Sequence, residues 1–371
     1  MIWLIMSSIC VLLLFVLNNE GVPIWLFHQV NSNSNTSPKA LDGFFAYLSR
    51  QGYQTHTLKE IDALRKANQK LPKKSLILTF DDGYYDNYSI VYPLLKKHNL
   101  KAIFFVNTLF IKELTSRPLQ TIEKSDFVNA ELIDNYFNQQ DATSDQYITW
   151  EEIREMEASG HVDIQCHSHR HGMVFSNLEC KQVVQPSFIS AGDYFVHQGN
   201  VQTDFPLFKM RGELSAQGYK INQAGSVLFK EFFQKINLVD LSKKELAKKT
   251  KQFLTKDFKN KYIQAYTERE FKERVEKEIG DNTFYIESRL LNKKAIGFAW
   301  PYGHQTKVSM PWMKALGMHY FFTCKKGTNA RTLNSDFIYR MELRKVTLER
   351  LIFLTEINSN FALGWLYRWL S

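Results

Sequence analysis

The chain has 371 residues, 44% hydrophobic and 23% charged, the balance of an ordinary globular protein long enough for one large α/β domain or two smaller ones. No internal repeat, low-complexity tract or Arg-rich base-reading motif is present, and nucleic-acid binding is set aside. The net charge of +9 gathers in Ser242–Lys261, where eight lysines accompany two acids; a solvated helix face accounts for it.

Met1–Leu17 (MIWLIMSSICVLLLFVL) contains no charged side chain. It has the length of a signal-peptide core or a short membrane span, so residues 1–18 are expected to export or anchor the protein. Val22–Phe27 reads as a buried strand ending at His28. Ser37-Pro38 opens a helix with Phe44, Phe45 and Leu48 on its apolar face. Thr57 with Glu60 forms a capping box for the next helix. Leu76–Phe80 is a strand, a helix covers Ser89–His98, and Ala102–Val106 (AIFFV) is a strand again. Residues 112–147 are polar and without period. Thr149 with Glu152 caps a helix that stops at Gly160, and strand Val162–Cys166 follows. Residues 173–260 break the rhythm and read as an insertion. Thr267 with Glu270 caps a further helix. Ala295–Trp300 (AIGFAW) is a strand, and the helix around Trp312–Leu316 leads to strand Tyr320–Cys324. Leu351–Leu370 is aromatic and apolar; it suits a terminal helix packed on the domain, with a membrane surface as the alternative. The four cysteines, Cys10, Cys166, Cys180 and Cys324, show no CxxC spacing and no disulfide framework.

Strands alternating with capped helices predict a parallel sheet, and their number favours closure into a barrel. His28, Asp81-Asp82, His167 and Trp300-Pro301-Tyr302-Gly303 each follow the C-terminal end of an expected strand. In a β/α barrel those ends open on one face, where active sites are built.

Two adjacent carboxylates at a buried strand end repel and are costly to desolvate unless a positive charge sits close by. CHSHRH at 166–171 offers that charge a seat. If the chain makes a helical turn there, His167 and His171 share a face, with His169 pointing away. One carboxylate, Asp82, and two imidazoles make an open catalytic metal site; zinc suits the donors best, and Co2+, Ni2+ or Fe2+ also fit. Asp81 is then placed to take a proton from water. Trp300, Tyr84 and Tyr85 are candidates for packing against a sugar ring.

LTFDDG at 78–83, HSxxH at 167–171 and WPYG at 300–303 together resemble three motifs of the polysaccharide deacetylases of carbohydrate esterase family 4, over about residues 20–110, 148–172 and 265–345. The resemblance implies a distorted (β/α)7 barrel with a long insertion before the WPYG strand, within a catalytic domain at 19–350 followed by an amphipathic segment at 351–371. It implies hydrolysis of an N- or O-acetyl group on a glycan. Asp81 matches the catalytic base, and Asp82, His167 and His171 match the metal ligands. Ser168 matches a hydroxyl that braces the loop. Tyr302, in the Trp300-Pro301-Tyr302 substrate segment, matches the backbone N–H that helps hold the oxyanion. Two departures stand out: Ala299 occupies a position often held by Arg, and no late Leu-x-x-His motif follows. Both are shared with the poly-β-1,6-N-acetylglucosamine N-deacetylases of biofilm formation, which the chain also resembles; these place an acid histidine at the end of the first strand, here His28. Arg340, in IYRMEL, is the candidate to orient Asp81 in place of the missing Arg. The expected enzyme is an extracytoplasmic N-deacetylase acting on a glycan. O-deacetylation, deacylation of a small amide or lipid-linked sugar, and an inactive glycan-binding module are the alternatives.

Overall fold

The computed structural model describes residues 20–114, 117, 130–185, 187–235, 242–333 and 336–370. The expected leader therefore lies outside the described residues, as does part of the polar stretch at 112–147.

Pro23 splits the first strand into β1 (Gly21–Val22) and β2 (Ile24–Phe27). Helix α1 (Pro38–Arg50), capped by Ser37, follows, then β3 (Gln54–Thr55) and α2 (Leu58–Lys66) with its Thr57–Glu60 capping box. Next come β4 (Ser75–Asp82), α3 (Tyr92–His98), β5 (Ala102–Val106), α4 (Ala130–Phe137), α5 (Trp150–Ala158) and β6 (Val162–Cys166). Every residue of β4, β5 and β6 is buried, the mark of strands covered on both faces.

Residues 173–265 then depart from the barrel. They supply β7 (Met173–Val183), α6 (Ala191–Val196), β8 (Pro206–Gly212), β9 (Tyr219–Ile221), α7 (Gln223–Gln234), α8 (Lys243–Phe253), α9 (Lys256–Tyr262) and β10 (Ile263–Ala265). The four strands form an antiparallel sheet, β10-β9-β7-β8, around a separate core that includes Phe175, Phe208, Phe229, Phe233 and Phe258. The chain returns through α10 (Glu268–Arg289), β11 (Gly297–Ala299), α11 (Met310–Ala315), β12 (Tyr320–Phe322) and β13 (Asn329–Ala330). It ends with α12 (Leu348–Asn358) and α13 (Phe361–Leu370).

The main sheet runs β12-β11-β6-β5-β4-β2, all parallel, with β3 beside β4. Residues 338–341 close it. Ile338 bridges Phe322 on one edge and Met341 bridges Trp25 on the other, both parallel. Six strands and this closing segment make the seven staves of a distorted (β/α) barrel. Alternation along β4 sets what faces inward. Ile77 joins Ile24, Ile103, Phe105 and Phe322 in the inner cluster, while Leu76, Leu78 and Phe80 join the cluster under the helices. Asp81 shares the inward parity of Ile77 and Thr79.

Candidate active site

The ends of β4 and β6 meet where the expectation put them, although the route differs. No helical turn follows Cys166. The loop instead uses left-handed backbone at Ser168 (φ 77) and His171 (φ 58), and Asp82 is also left-handed (φ 76). Such conformations are strained for residues with a side chain and collect at functional sites.

Asp82 Oδ1 lies 3.3 Å from His167 Nε2 and 3.6 Å from His171 Nε2. One ligand atom from each of the three residues falls within 4.8 Å of the others. Asp82 Oδ1 is buried and makes no hydrogen bond, an orphaned acceptor of the kind that a cation resolves. His167 Nδ1 bonds to the Ala299 carbonyl at 2.9 Å, which leaves Nε2 with its lone pair facing the cluster. Burial pushes His171 down to about 4, so it is neutral at pH 7 and free to ligate. Burial opposes the charge on Asp82, but His167, with His171 and His28 nearby, holds the carboxyl below its usual range. For His167, burial is outweighed by the carboxylates of Asp81 and Asp82, which raise it. A neutral imidazole and a second one drawn toward its proton by a carboxylate fit a divalent ion, which would take that proton's place.

Asp81 is 1% exposed and gripped from inside the barrel. Arg340, on the closing segment and fully buried, donates from Nη1 to Oδ1 at 2.7 Å and from Nη2 to Oδ2 at 2.8 Å. Its Nη1 also reaches Thr79 Oγ1 at 3.2 Å, and Nε reaches the Thr323 carbonyl at 3.0 Å. This fork holds both carboxylate oxygens in one plane. Asp81 Oδ2 stays 4.0 Å from His167 Nε2, beside the ligand cluster and outside it.

His28 follows β2 with its side chain partly exposed and Nδ1 3.7 Å from Glu342. Its backbone is fixed by two residues that sequence reading passed over. Asn87 Nδ2 donates to the His28 carbonyl at 2.9 Å, and Asp86 Oδ2 accepts from Val30 N at 2.9 Å and Asn31 Nδ2 at 3.1 Å. Both lie in the stretch DDGYYDN, where an Asp-Asn pair after a strand was the available signal.

Tyr302 sits on left-handed backbone (φ 57), and its hydroxyl donates to the His171 carbonyl at 2.8 Å. Ser168 Oγ accepts from His171 N at 3.0 Å. His169 turns away to Thr108 and stacks on Tyr285. The aromatic candidates need correction. Trp300 is 1% exposed and packs against Phe298 and Phe321, and Pro301 is buried, so neither offers an open face to a sugar. Tyr84 and Tyr85 are buried as well, Tyr84 stacked on Tyr147. Apolar area won these rings for the core.

Behind the histidine loop lies a charge cluster that sequence reading missed. Arg170 bonds to Glu278 of α10, to Tyr136 at 2.9 Å and, through Nη2, to Glu213 Oε2 at 3.0 Å. Glu213 follows β8 and its N–H bonds to the Gly172 carbonyl at 2.9 Å. Gly212 N donates to His304 Nδ1 at 2.9 Å. The antiparallel unit thus touches both the histidine loop and the WPYG loop. Asn282 of α10 adds a bond to the Ser168 carbonyl at 2.8 Å.

A family model described as polysaccharide deacetylase matches residues 68–186, which hold β4 to β7 and all of Asp82, His167 and His171. The poly-beta-1,6-N-acetyl-D-glucosamine N-deacetylase of Escherichia coli (strain K12) is 21% identical over 297 residues, 80% of this chain and 32% of that protein. YxkH of Bacillus subtilis (strain 168) is 40% identical over 87 residues, 23% of this chain and 31% of its own length. The alignments thus span about a third of each curated relative. Among solved structures, the de-N-acetylase from Aggregatibacter actinomycetemcomitans superposes with a TM-score of 0.57 at 19% identity, covering 90% of this chain and 98% of that one. The deacetylase domain of BpsB from Bordetella bronchiseptica gives 0.52 at 18%, covering 86% and 94%. At these identities the structures speak for a shared fold.

Proposed function

We propose, for a chain that carries a polysaccharide deacetylase domain, the metal-dependent hydrolysis of N-acetyl groups on an N-acetylglucosamine polymer outside the cytoplasm. The observation that supports it most is the orphaned Asp82 oxygen between two imidazoles, next to a carboxylate held by a buried guanidinium.

Asp82, His167 and His171 would hold the ion, Zn2+ by donor type. When bound, it supplies Lewis acidity and makes nearby water more acidic. Asp81, kept in orientation by Arg340, accepts the proton of the water that attacks the acetamide carbonyl. The Tyr302 N–H donates to the carbonyl oxygen as its negative charge grows. His28, at the end of the first strand, protonates the departing nitrogen. The C–N bond breaks, and acetate and a free amine result. Each turnover leaves a cation on the glycan, which changes its attraction to anionic surfaces. The uncharged, apolar Met1–Leu17 run supports an extracytoplasmic site of action.

Acetylated glucosamine oligomers test this reading. Acetate and free amine should appear together, turnover should stop on chelation and return with Zn2+, and Asp81→Asn should abolish turnover while retaining the metal. Acetate without amine would replace the reading with O-deacetylation, and full activity of Asp81→Asn would remove the base.

A further inference from the structure

The C-terminal helix α13 presents an apolar face that the fold does not cover. Its inner side is committed. A Cβ added at Gly364 would come within 2.7 Å of Thr328, and Arg368 lies over the Tyr339 ring at 4.1 Å. On the outer side Trp365 is 57% exposed, Trp369 75% and Leu370 71%, with Leu363 and Leu366 also exposed. At about 100° per residue these five fall in one arc of roughly 160° that contains no charged side chain. A contiguous apolar patch with two tryptophans at its edge is an interaction surface.

What covers it follows from where the chain enters the fold. Glu20 bridges Asn360, immediately before α13, and Gly21 N donates to the Ser359 carbonyl at 2.9 Å. Only Asn18 and Asn19 separate Glu20 from the uncharged run Met1–Leu17. Two apolar surfaces therefore start from one point. As a helix the run would be about 26 Å long, close to the roughly 30 Å hydrocarbon thickness of a bilayer. It is apolar all round, so folding it onto α13 would leave its outer side in water, and pairing two copies through α13 would leave the run itself unburied. A bilayer buries both, and tryptophan is favoured at its interface.

We propose that the exposed face of α13 lies in the interface of a phospholipid bilayer, beside the point where residues 1–17 enter it. This inference is independent of the hydrolase reading. Because Glu20 lies at the end of the barrel where β2 begins, the bilayer meets the barrel floor, and His28, Asp82 and His167 face away from it.

The test uses the full chain with Trp3→Phe, which silences the tryptophan inside the run. It is reconstituted into phosphatidylcholine–phosphatidylglycerol vesicles with brominated acyl chains. Tryptophan emission should be quenched, and the quenched component should be lost on adding Trp365→Phe and Trp369→Phe. Absence of quenching, or quenching unchanged by the added pair, overturns the proposal. In a second arm, Leu366→Cys is oxidised in the same vesicles. A disulfide to Cys10 would show the run covering α13, and one between two copies would show self-association; either overturns it, and the absence of both supports it.

Discussion

Arg340 and Asp81 are 259 positions apart in the chain, yet each oxygen of the carboxylate meets its own guanidinium N–H. A lysine at 340 would satisfy one oxygen and let the carboxylate rotate. Arg340→Lys is expected to lower kcat about 100-fold with KM little changed, as misplacement of a catalytic group by about 1 Å does. Arg340→Met strands a buried charge and should cost about 3–5 kcal/mol of stability, read from denaturant unfolding. Asp86 gives a pH signature. Burial pushes its carboxyl up from 3.8 to about 6, against the hydrogen bonds from Val30, Asn31 and Asn87. The native state thus holds this proton more tightly than the unfolded chain. The protonated state's advantage is complete below pH about 4 and is lost as pH rises through about 6. Asp86→Asn should flatten that part of the stability–pH curve, measured as Tm between pH 4 and 7. A mutant curve parallel to that of the native protein would refute the assignment.

At the level of elements, the antiparallel unit at 173–265 is more than decoration. Glu213, buried after β8, supports the histidine loop through Arg170, with Oε1 left without a hydrogen bond. Burial raises its carboxyl to about 7 against the pull of Arg170. Outer supports of this kind tune metal affinity. Glu213→Ala is expected to weaken Zn2+ binding 10- to 100-fold in chelator competition, with activity partly restored at high Zn2+. Unchanged affinity would restrict Glu213 to folding. This unit was also the least legible in the sequence. β7 pairs with β8 through register shifts between Phe175 and Gln182, and its polar NLECKQ segment hides any period-2 alternation. The capping boxes at Thr57, Thr149 and Thr267, by contrast, are local and were readable to the residue. The Ser190 and Ser242 boxes carried the same S-x-x-D/E signal inside the segment set aside as an insertion. The cluster of Asp82, His167 and His171 was legible because HxxxH and DD are short motifs. The left-handed loop that unites them was not, since strain at Ser168 and His171 has no compositional sign.

For the whole molecule, strands alternating with capped helices predicted a parallel sheet and favoured its closure, the family resemblance implied the barrel, and the closing segment was beyond reach. Ile338–Met341 carries no strand pattern of its own and forms only isolated bridges to its neighbours. That closure has a consequence for biogenesis. Asp82, His167 and His171 all precede Arg340 in the chain, so the guanidinium that grips Asp81 is synthesised after all three. A nascent chain can bring Asp82, His167 and His171 together before Asp81 is gripped. Under the proposed assignment of Asp81 as base, turnover waits until the closing segment docks.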